Sequence, residues 1–257
     1  MSTNSAALLS VIQFHDALDT GAMNLLDVVA VAHRLGAGGV EFRPNYWRDK
    51  EREIAAVRRA TTERGLMAMY ATMATLFSVE PDSAGQLRQD TDDAAALGSP
   101  LLRVFLGAVP DDSADPAWDG ARRAVRYAAA RGIYLALENF ARAPGCTVSE
   151  IRRVLDAIAD PALRTNVDIG NYALNGEDVA AAIRAFDGRV AMSHLKDMED
   201  GAGATYLGGG NMPLPAILDA FDALPQPIIH CFEFEGGADP AGRIAASLAY
   251  LQARGRQ

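Results

Sequence analysis

Short apolar runs alternate with longer amphipathic stretches along the whole chain, and this alternation restricts the fold more than any other feature. Parallel strands linked by crossover helices produce such a pattern. The predicted strands are Val11–Phe14, Gly39–Arg43, Leu66–Ala71, Leu101–Leu106, Ile133–Asn139, Arg164–Asp168, Arg189–Leu195 and Pro227–Phe234. The predicted helices are Leu25–Leu35, Glu51–Arg64, Ser83–Leu97, Trp118–Arg131, Val148–Ile158, Glu177–Phe186, Leu214–Leu224 and Pro240–Ala253.

Eight strand-helix units in 257 residues match the ~250 residues of an eightfold strand-helix barrel. The sequence therefore predicts an α/β fold, a single (β/α)8 TIM barrel, with residues 1–257 as one domain. The segment 198–213 is rich in glycine, and we expect it to form an irregular loop after the seventh strand, at the face where such barrels carry their active sites.

Four residues that can bind metal ions lie near the ends of predicted strands. They are Glu138, Asp168, His194 and Glu233, separated by 30, 26 and 39 residues, about one structural unit each. In a barrel, side chains at the carboxyl ends of the strands converge on one place. Three carboxylates and one imidazole suit Mn²⁺, Mg²⁺, Co²⁺ or Zn²⁺. The spacing predicts one divalent metal site and leaves the metal open.

The composition limits the expected partners and compartment. A formal net charge of −9 disfavours binding to nucleic acid and to anionic membranes. The two cysteines, Cys146 and Cys231, show no pairing that indicates a disulfide framework. No apolar run approaches the ~18 residues of a membrane span, and the amino terminus has no basic segment typical of a signal peptide. We expect a cytoplasmic protein that binds a small molecule.

Six segments resemble one family in order and spacing. They are Gly38–Phe42, Leu137–Asn139, Val167–Asn171, Ser193–Asp197, Leu207–Gly210 and Phe232–Gly236. Together they resemble the xylose isomerase-like barrels, described as sugar phosphate isomerases/epimerases, from about Val11 to Leu251. The resemblance implies that Glu138, Asp168, His194 and Glu233 bind the metal. In the ketose 3-epimerases of this family the two glutamates exchange the substrate proton, which implies the same catalytic role for Glu138 and Glu233 here.

The chain also departs from the ketose 3-epimerases. They usually have a histidine three residues after the aspartate ligand, where this chain has Asn171, and an arginine six residues after the histidine ligand, where it has Asp200. Both differences count against a close relationship to that branch. Asn171 and Lys196 are instead expected to contact substrate hydroxyl or carbonyl oxygens, as in other branches.

Further residues are expected at the barrel mouth. His15, at the end of the first predicted strand, and Glu41 are candidate substrate contacts. Arg43 has two interpretations, a substrate contact or an exposed ion pair. Arg103 either neutralises the carboxylates or anchors an anionic substrate. Glu235 shares a strand face with Glu233 and is an alternative ligand, whereas alternation turns His230 toward the helices as a core residue.

The leading functional hypothesis is a metal-dependent isomerase or epimerase that acts on a sugar or keto-polyol through a metal-stabilised enediolate. The alternative is a lyase or dehydratase of the inosose or dehydroshikimate type on the same barrel. Two further options are a non-catalytic barrel subunit and an endonuclease IV-like enzyme, and the low histidine count and acidic charge disfavour the latter. The resemblance also implies a possible homo-oligomer. The substrate, its phosphorylation and the oligomeric state stay open.

Overall fold

A closed barrel of eight parallel strands is the central feature of the computed structural model, which describes residues 6–78, 83–201 and 203–255. Around the barrel the order is β1 to β7 and then β10, which pairs with β1. The strands of the barrel are β1 Leu8–Ser10, β2 Gly39–Phe42, β3 Met67–Phe77, β4 Leu101–Gly107, β5 Tyr134–Glu138, β6 Leu163–Asp168, β7 Val190–Leu195 and β10 Ile229–Phe232. The predicted (β/α)8 architecture is confirmed.

Helices surround the barrel and follow the predicted pattern closely. They are α1 His15–Thr20, α2 Leu25–Leu35, α3 Lys50–Glu63, α4 Ser83–Leu97, α5 Pro116–Ala129, α6 Val148–Ile158, α7 Ile169–Leu174, α8 Val179–Phe186, α9 Leu214–Asp222 and α10 Pro240–Arg254. The short helices α1 and α7 were not predicted. Within the described ranges, none of the helices has the length and apolar character needed to cross a membrane.

Local sequence determines where α2 begins and ends. The predicted bounds of this helix agree with the structure at both ends. The Asn24 side chain accepts hydrogen bonds from the backbone N–H groups of Leu26 and Asp27, and Asp27 accepts one from the Asn24 N–H. This capping box satisfies N–H groups that have no partner within the helix. Gly36 ends the helix at φ 74°, a left-handed conformation that glycine adopts without strain.

A small apolar cluster fills the inside of the barrel and positions the polar residues above it. This inner cluster contains Leu8, Met69, Leu101, Ala136, Met192 and Cys231. Strand residues two positions apart share a face. The residue two positions after each member of the inner cluster therefore also points into the barrel. On four strands this residue is charged or a histidine: Arg103, Glu138, His194 and Glu233. The inner cluster thus closes the barrel below a layer of charged side chains.

Two predicted segments differ from the structure in kind, and β3 continues to Phe77 instead of ending at Ala71. The first strand is Leu8–Ser10, and Val11–Phe14, predicted as that strand, forms a 3-10 turn. The apolar run continues across the strand end, so periodicity alone could not locate the boundary. His15 consequently begins α1 and does not end a strand. The predicted irregular segment 198–213 contains part of an antiparallel hairpin of β8 Asp197–Glu199 and β9 Gly203–Thr205, with residue 202 outside the described residues.

Asp197 fixes the glycine-rich segment that follows β9. Its buried carboxylate accepts hydrogen bonds from the backbone N–H groups of Met198, Gly208, Gly210 and Met212, at 2.9 to 3.2 Å. The segment packs tightly here, because a Cβ at Gly210 would lie 2.4 Å from the backbone oxygen of Met198. One carboxylate therefore holds the loop beside the end of β7.

We expect Asp197→Asn to loosen this loop. One of the two carboxylate oxygens becomes an amide nitrogen that cannot accept hydrogen bonds, so two backbone N–H groups lose their acceptor. The expected loss of stability is about 1–3 kcal/mol in urea unfolding, with faster amide hydrogen exchange at Gly208 and Gly210. Glu199→Gln, an exposed change in the same hairpin, is the control. Unchanged exchange in Asp197→Asn would contradict the role of this carboxylate.

Candidate metal centre

Four side chains from four strands meet at the carboxyl end of the barrel. Glu138 ends β5, Asp168 ends β6, His194 lies on β7 and Glu233 follows β10. One potential ligand atom from each lies within 4.8 Å of the others, and all four residues are buried. The Nδ1 atom of His194 is 3.5 Å from Glu138 Oε2, 3.6 Å from Asp168 Oδ2 and 3.2 Å from Glu233 Oε2. The structure thus brings together the four residues singled out by spacing.

Glu41 fixes the orientation of the His194 ring. The His194 Nε2 atom lies 2.9 Å from Glu41 Oε1, and neither side chain is exposed. Burial alone would raise the pKa of Glu41, but the charge and hydrogen bond of His194 outweigh burial and hold this pKa well below its usual range. Glu41 is then an ionised acceptor, so His194 Nε2 carries the proton. In the neutral ring, Nδ1 therefore presents a lone pair to the three carboxylates.

Arg103 and Asn166 hold Glu138. The Arg103 Nε atom lies 2.8 Å from Glu138 Oε2, and Arg103 Nη1 donates to the Thr72 carbonyl oxygen at 2.8 Å. Asn166 Nδ2 lies 3.4 Å from Glu138 Oε2 and 3.2 Å from His194 Nδ1. Burial raises the pKa of Glu138, but the Arg103 charge, with His194, lowers it overall to about 2. Glu138 is therefore ionised at neutral pH.

Asp168 performs two roles with its two oxygens. Its Oδ1 accepts the Asn171 backbone N–H at 2.9 Å and so caps α7, while Oδ2 faces His194 and Lys196. Asn139 holds the Asp168 backbone from β5, since its amide donates to the Asp168 carbonyl and accepts from the Asp168 N–H, each at 2.9 Å. Two paired hydrogen bonds thus fix the ends of β5 and β6 relative to each other.

Two cations surround Glu233. Arg43 Nη2 contacts Glu233 Oε1, and Lys196 Nζ lies 2.9 Å from Glu233 Oε2 and 2.7 Å from Asp168 Oδ2. The Arg43 side chain is 14% exposed, so it forms a largely buried ion pair and not the exposed pair considered from the sequence. Lys196 shares two of the carboxylate oxygens that face His194.

The donor set fits a divalent cation. Carboxylate oxygens and a neutral imidazole nitrogen are ligands for Mn²⁺, Mg²⁺, Co²⁺ and Zn²⁺, and the set contains no thiolate that would favour a softer metal. A further group, Glu41, His194 and Cys231, is also close enough to share an ion. There His194 Nε2 already donates to Glu41 and burial raises the Cys231 pKa well above its usual value, so the first set fits better.

The remaining predicted residues lie around this centre or apart from it. Asn171 contributes its backbone N–H to Asp168. His15 lies on α1, half exposed, 3.1 Å from Asp16 and 3.9 Å from Glu235. The Glu235 side chain is 68% exposed and lies outside the four-residue group. His230 faces the helices as expected, bonds Ser193 Oγ at 2.7 Å and packs on Phe221, but it is half-buried and lines a surface cavity. Desolvation lowers its pKa to about 4.

Sequence reasoning missed the supporting amides. Asn166 precedes Asp168 by two residues on the same strand face, so alternation along β6 could have identified it. Asn139 directly follows Glu138 inside a motif that was already recognised. The ion pair between Arg43 and Glu233 carries no sequence signal, because it joins residues 190 positions apart.

The chain was compared with known protein families, proteins of curated function and solved structures. A family model described as xylose isomerase-like TIM barrel matches residues 29–254. No protein of curated function matches the chain. Many solved structures, in contrast, match the chain.

Three of these solved structures are similar over almost the whole chain. A probable 3-DHS dehydratase, AsbF of Bacillus anthracis, has a TM-score of 0.80 at 15% identity and covers 96% of this chain and 98% of its own. The D-allulose 3-epimerase of Methylomonas sp. has a TM-score of 0.74 at 20% identity, covering 98% and 100%. The 3-keto-D-glucoside 4-epimerase YcjR of E. coli has a TM-score of 0.70 at 17% identity, covering 90% and 94%. At these identities the likeness shows the fold.

We expect Glu41→Gln to weaken metal binding although Glu41 is not one of the four candidate ligands. The change removes the charge that fixes the His194 ring and raises the basicity of Nδ1. Loss of such a partner typically reduces metal affinity about 10–100-fold. The measurement is Mn²⁺ titration followed by electron paramagnetic resonance, with Glu235→Gln, an exposed glutamate near the mouth, as the matched control. Equal affinity in both variants would contradict the role of Glu41.

Metal affinity should also rise with pH. Burial would lower the pKa of His194, but the charges of Glu41 and Glu138 raise it to about 10 from an ordinary 6.5. The protonated ring therefore stabilises the fold below pH 6.5, and that contribution is lost as pH rises through 10. A metal cation binds only the unprotonated Nδ1 atom. Metal affinity therefore increases as pH rises, whereas the contribution of the protonated ring to stability decreases.

Between pH 6 and 9 we expect the Mn²⁺ affinity to increase by up to about tenfold per pH unit, because one proton competes with the metal. Calorimetry in buffers of different ionisation enthalpy measures the proton released. His194→Asn is the comparison variant and should lose both the slope and the proton release. A wild-type affinity independent of pH would contradict the raised pKa.

Proposed function

Because the chain belongs to the xylose isomerase-like TIM barrel family, we propose that it is a divalent-metal-dependent enzyme that isomerises or epimerises a sugar or a related keto-polyol. The observation that carries the proposal is the meeting of Glu138, Asp168, His194 Nδ1 and Glu233 within 4.8 Å at the barrel mouth. Similar structures that are sugar epimerases support the reaction class by analogy.

The two glutamates are the proposed proton carriers. A divalent cation, when bound, would polarise the substrate carbonyl and acidify the proton on the neighbouring carbon. Glu138 ends β5 and Glu233 follows β10, and β6 and β7 separate these two strands around the barrel. Their carboxylates therefore reach a central substrate from different sides. One glutamate takes the proton and the other returns it to the opposite face, which inverts the carbon.

The neighbouring cations determine the ionisation and the basicity of these carboxylates. Arg103 keeps Glu138 ionised, with a pKa of about 2, so Glu138 is ready to accept a proton but is a weak base. The reaction then depends on strong acidification of the substrate carbon. Glu41, behind His194, maintains the ring tautomer, and we propose that Asn166 orients Glu138.

A second candidate reaction is dehydration, and Lys196 is the observation that favours it. Its ammonium lies 2.9 Å from Glu233 and 2.7 Å from Asp168. A charged acid beside a carboxylate base can donate a proton to a leaving hydroxyl after Glu233 has removed the carbon-bound proton. The similarity to a probable 3-DHS dehydratase is consistent with this alternative.

Mass spectrometry in deuterium oxide separates the two reactions. We expect the Mn²⁺-loaded protein, incubated with a panel of ketoses and keto-polyols, to give a product that carries one deuterium from solvent. Dehydration would instead give a product lighter by one water. Product that keeps its original hydrogen and its mass would count against both.

Variants of the two glutamates test the proton carriers. At saturating Mn²⁺, Glu138→Gln and Glu233→Gln should each slow turnover by about 10²–10⁴-fold, the usual contribution of a positioned acid or base. Deuterium exchange should fall with turnover in the variant that lacks the glutamate facing the substrate proton, whereas the other variant should still exchange that proton on one face without inversion. Glu235→Gln should retain wild-type rates. Full activity in both ligand variants, with metal bound, would refute the mechanism.

A further inference from the structure

The charges buried at the barrel mouth do not balance around a neutral substrate. Four carboxylates and three side-chain cations meet there: Glu41, Glu138, Asp168 and Glu233 against Arg43, Arg103 and Lys196. With His194 neutral and a divalent cation bound, the group would carry one net positive charge. A buried charge is costly unless it is paired. A ligand with one negative charge would complete the balance, whereas a neutral sugar would not.

From this balance we infer that the substrate is a monoanionic keto-polyol, a hydroxy-keto carboxylic acid, and that Arg43 binds its carboxylate. The inference rests on the proposed function, since it assumes the bound cation. Both arginines already contact a carboxylate and both have a buried nitrogen without a hydrogen-bond partner, so exposure decides between them. Arg103 is less suited, because its side chain is 1% exposed. Arg43 is 14% exposed and its Nε atom is buried without a hydrogen-bond partner.

Further buried polar groups without partners lie at and just after the end of β1, the strand next to β2. Ser10 ends β1 and pairs in register with Glu41 of β2, so its side chain points into the barrel. The Ser10 hydroxyl and both polar atoms of the Gln13 amide are buried and have no hydrogen-bond partner among the described residues. The Gln13 backbone touches the segment after Glu233, because a Cβ at Gly236 would lie 1.8 Å from the Gln13 oxygen.

These groups form one donor-rich side of the mouth. A hydroxyl, a side-chain amide and a guanidinium can all donate to a carboxylate, and a guanidinium binds it with the strongest geometric match. Buried polar groups in native proteins normally have partners. Ser10, Gln13 and Arg43 therefore constitute a candidate anion subsite next to Glu233.

Two aromatic rings lie at the ends of β4 and β5, beside the ion pair of Arg103 and Glu138. Phe105 lies in register with Glu138, and its ring is 5.1 Å from that of Phe140, which is 51% exposed. A ligand with its carboxylate at Arg43 would place its carbon skeleton toward these rings.

Three probes that share one keto end test the inference: D-fructose, D-fructuronate and D-fructose 6-phosphate, which carry no charge, one charge and about two charges at the same carbon. Calorimetry at saturating Mn²⁺ gives their dissociation constants. We expect D-fructuronate to bind at least about tenfold more tightly than D-fructose, as for one charge-assisted hydrogen-bonded contact. It should also bind more tightly than the phosphate.

Arg43→Gln should abolish this preference, and Ser10→Ala should reduce it. Arg52→Gln, an exposed arginine of α3, should retain it. The ratio of the two dissociation constants at saturating Mn²⁺ is the readout, so a changed metal affinity in Arg43→Gln does not alter the conclusion. Circular dichroism verifies that each variant is folded.

The outcomes separate this inference from the proposed function. Mn²⁺ uptake with equal binding of D-fructose and D-fructuronate would overturn the inference alone, as would tighter binding of the phosphate. A preference that survives in Arg43→Gln would overturn the assignment of Arg43. Failure of the wild-type protein to bind Mn²⁺ would overturn both proposals.

Discussion

Charge compensation inside the barrel mouth is the constraint on which the rest of the structure depends. Four carboxylates at the end of a closed barrel repel one another, and burial makes that repulsion stronger than in water. The chain offsets the repulsion with Arg103 behind Glu138, Lys196 between Asp168 and Glu233, and Arg43 beside Glu233. Removing Arg103 would leave Glu138 without its cation, and removing Lys196 would leave Asp168 without one.

The barrel supplies the positions that this compensation requires. Alternation along each strand places an apolar residue of the inner cluster two positions before a charged one, as with Ala136 before Glu138 and Cys231 before Glu233. The apolar residues close the lower part of the barrel to water, and the charged ones meet above them. Inward-facing residues recur every second position along a strand. Successive inward-facing positions therefore belong first to the apolar core and then to the candidate site.

Much of the fold and the centre of the site could be predicted from the sequence. Alternation identified seven of the eight barrel strands, and strand ends identified the four converging residues. The first strand was misplaced because Leu8 and Leu9 merge with the apolar turn that follows. Arg43 was expected at the mouth, but its contact with Glu233 could not be predicted. An ion pair between distant strands depends on barrel closure and on side-chain direction, and neither leaves a periodic signal.

Asp168 shows why the site and the fold cannot be considered separately. One oxygen caps α7 through the Asn171 N–H and the other faces His194 and Lys196, while Asn139 holds the Asp168 backbone. An acidic residue at a strand end can be a helix cap or a ligand, and here the same carboxylate has the geometry for both. The cap fixes the direction of the second oxygen without any further residue. The candidate metal site is therefore pre-organised by ordinary backbone hydrogen bonds.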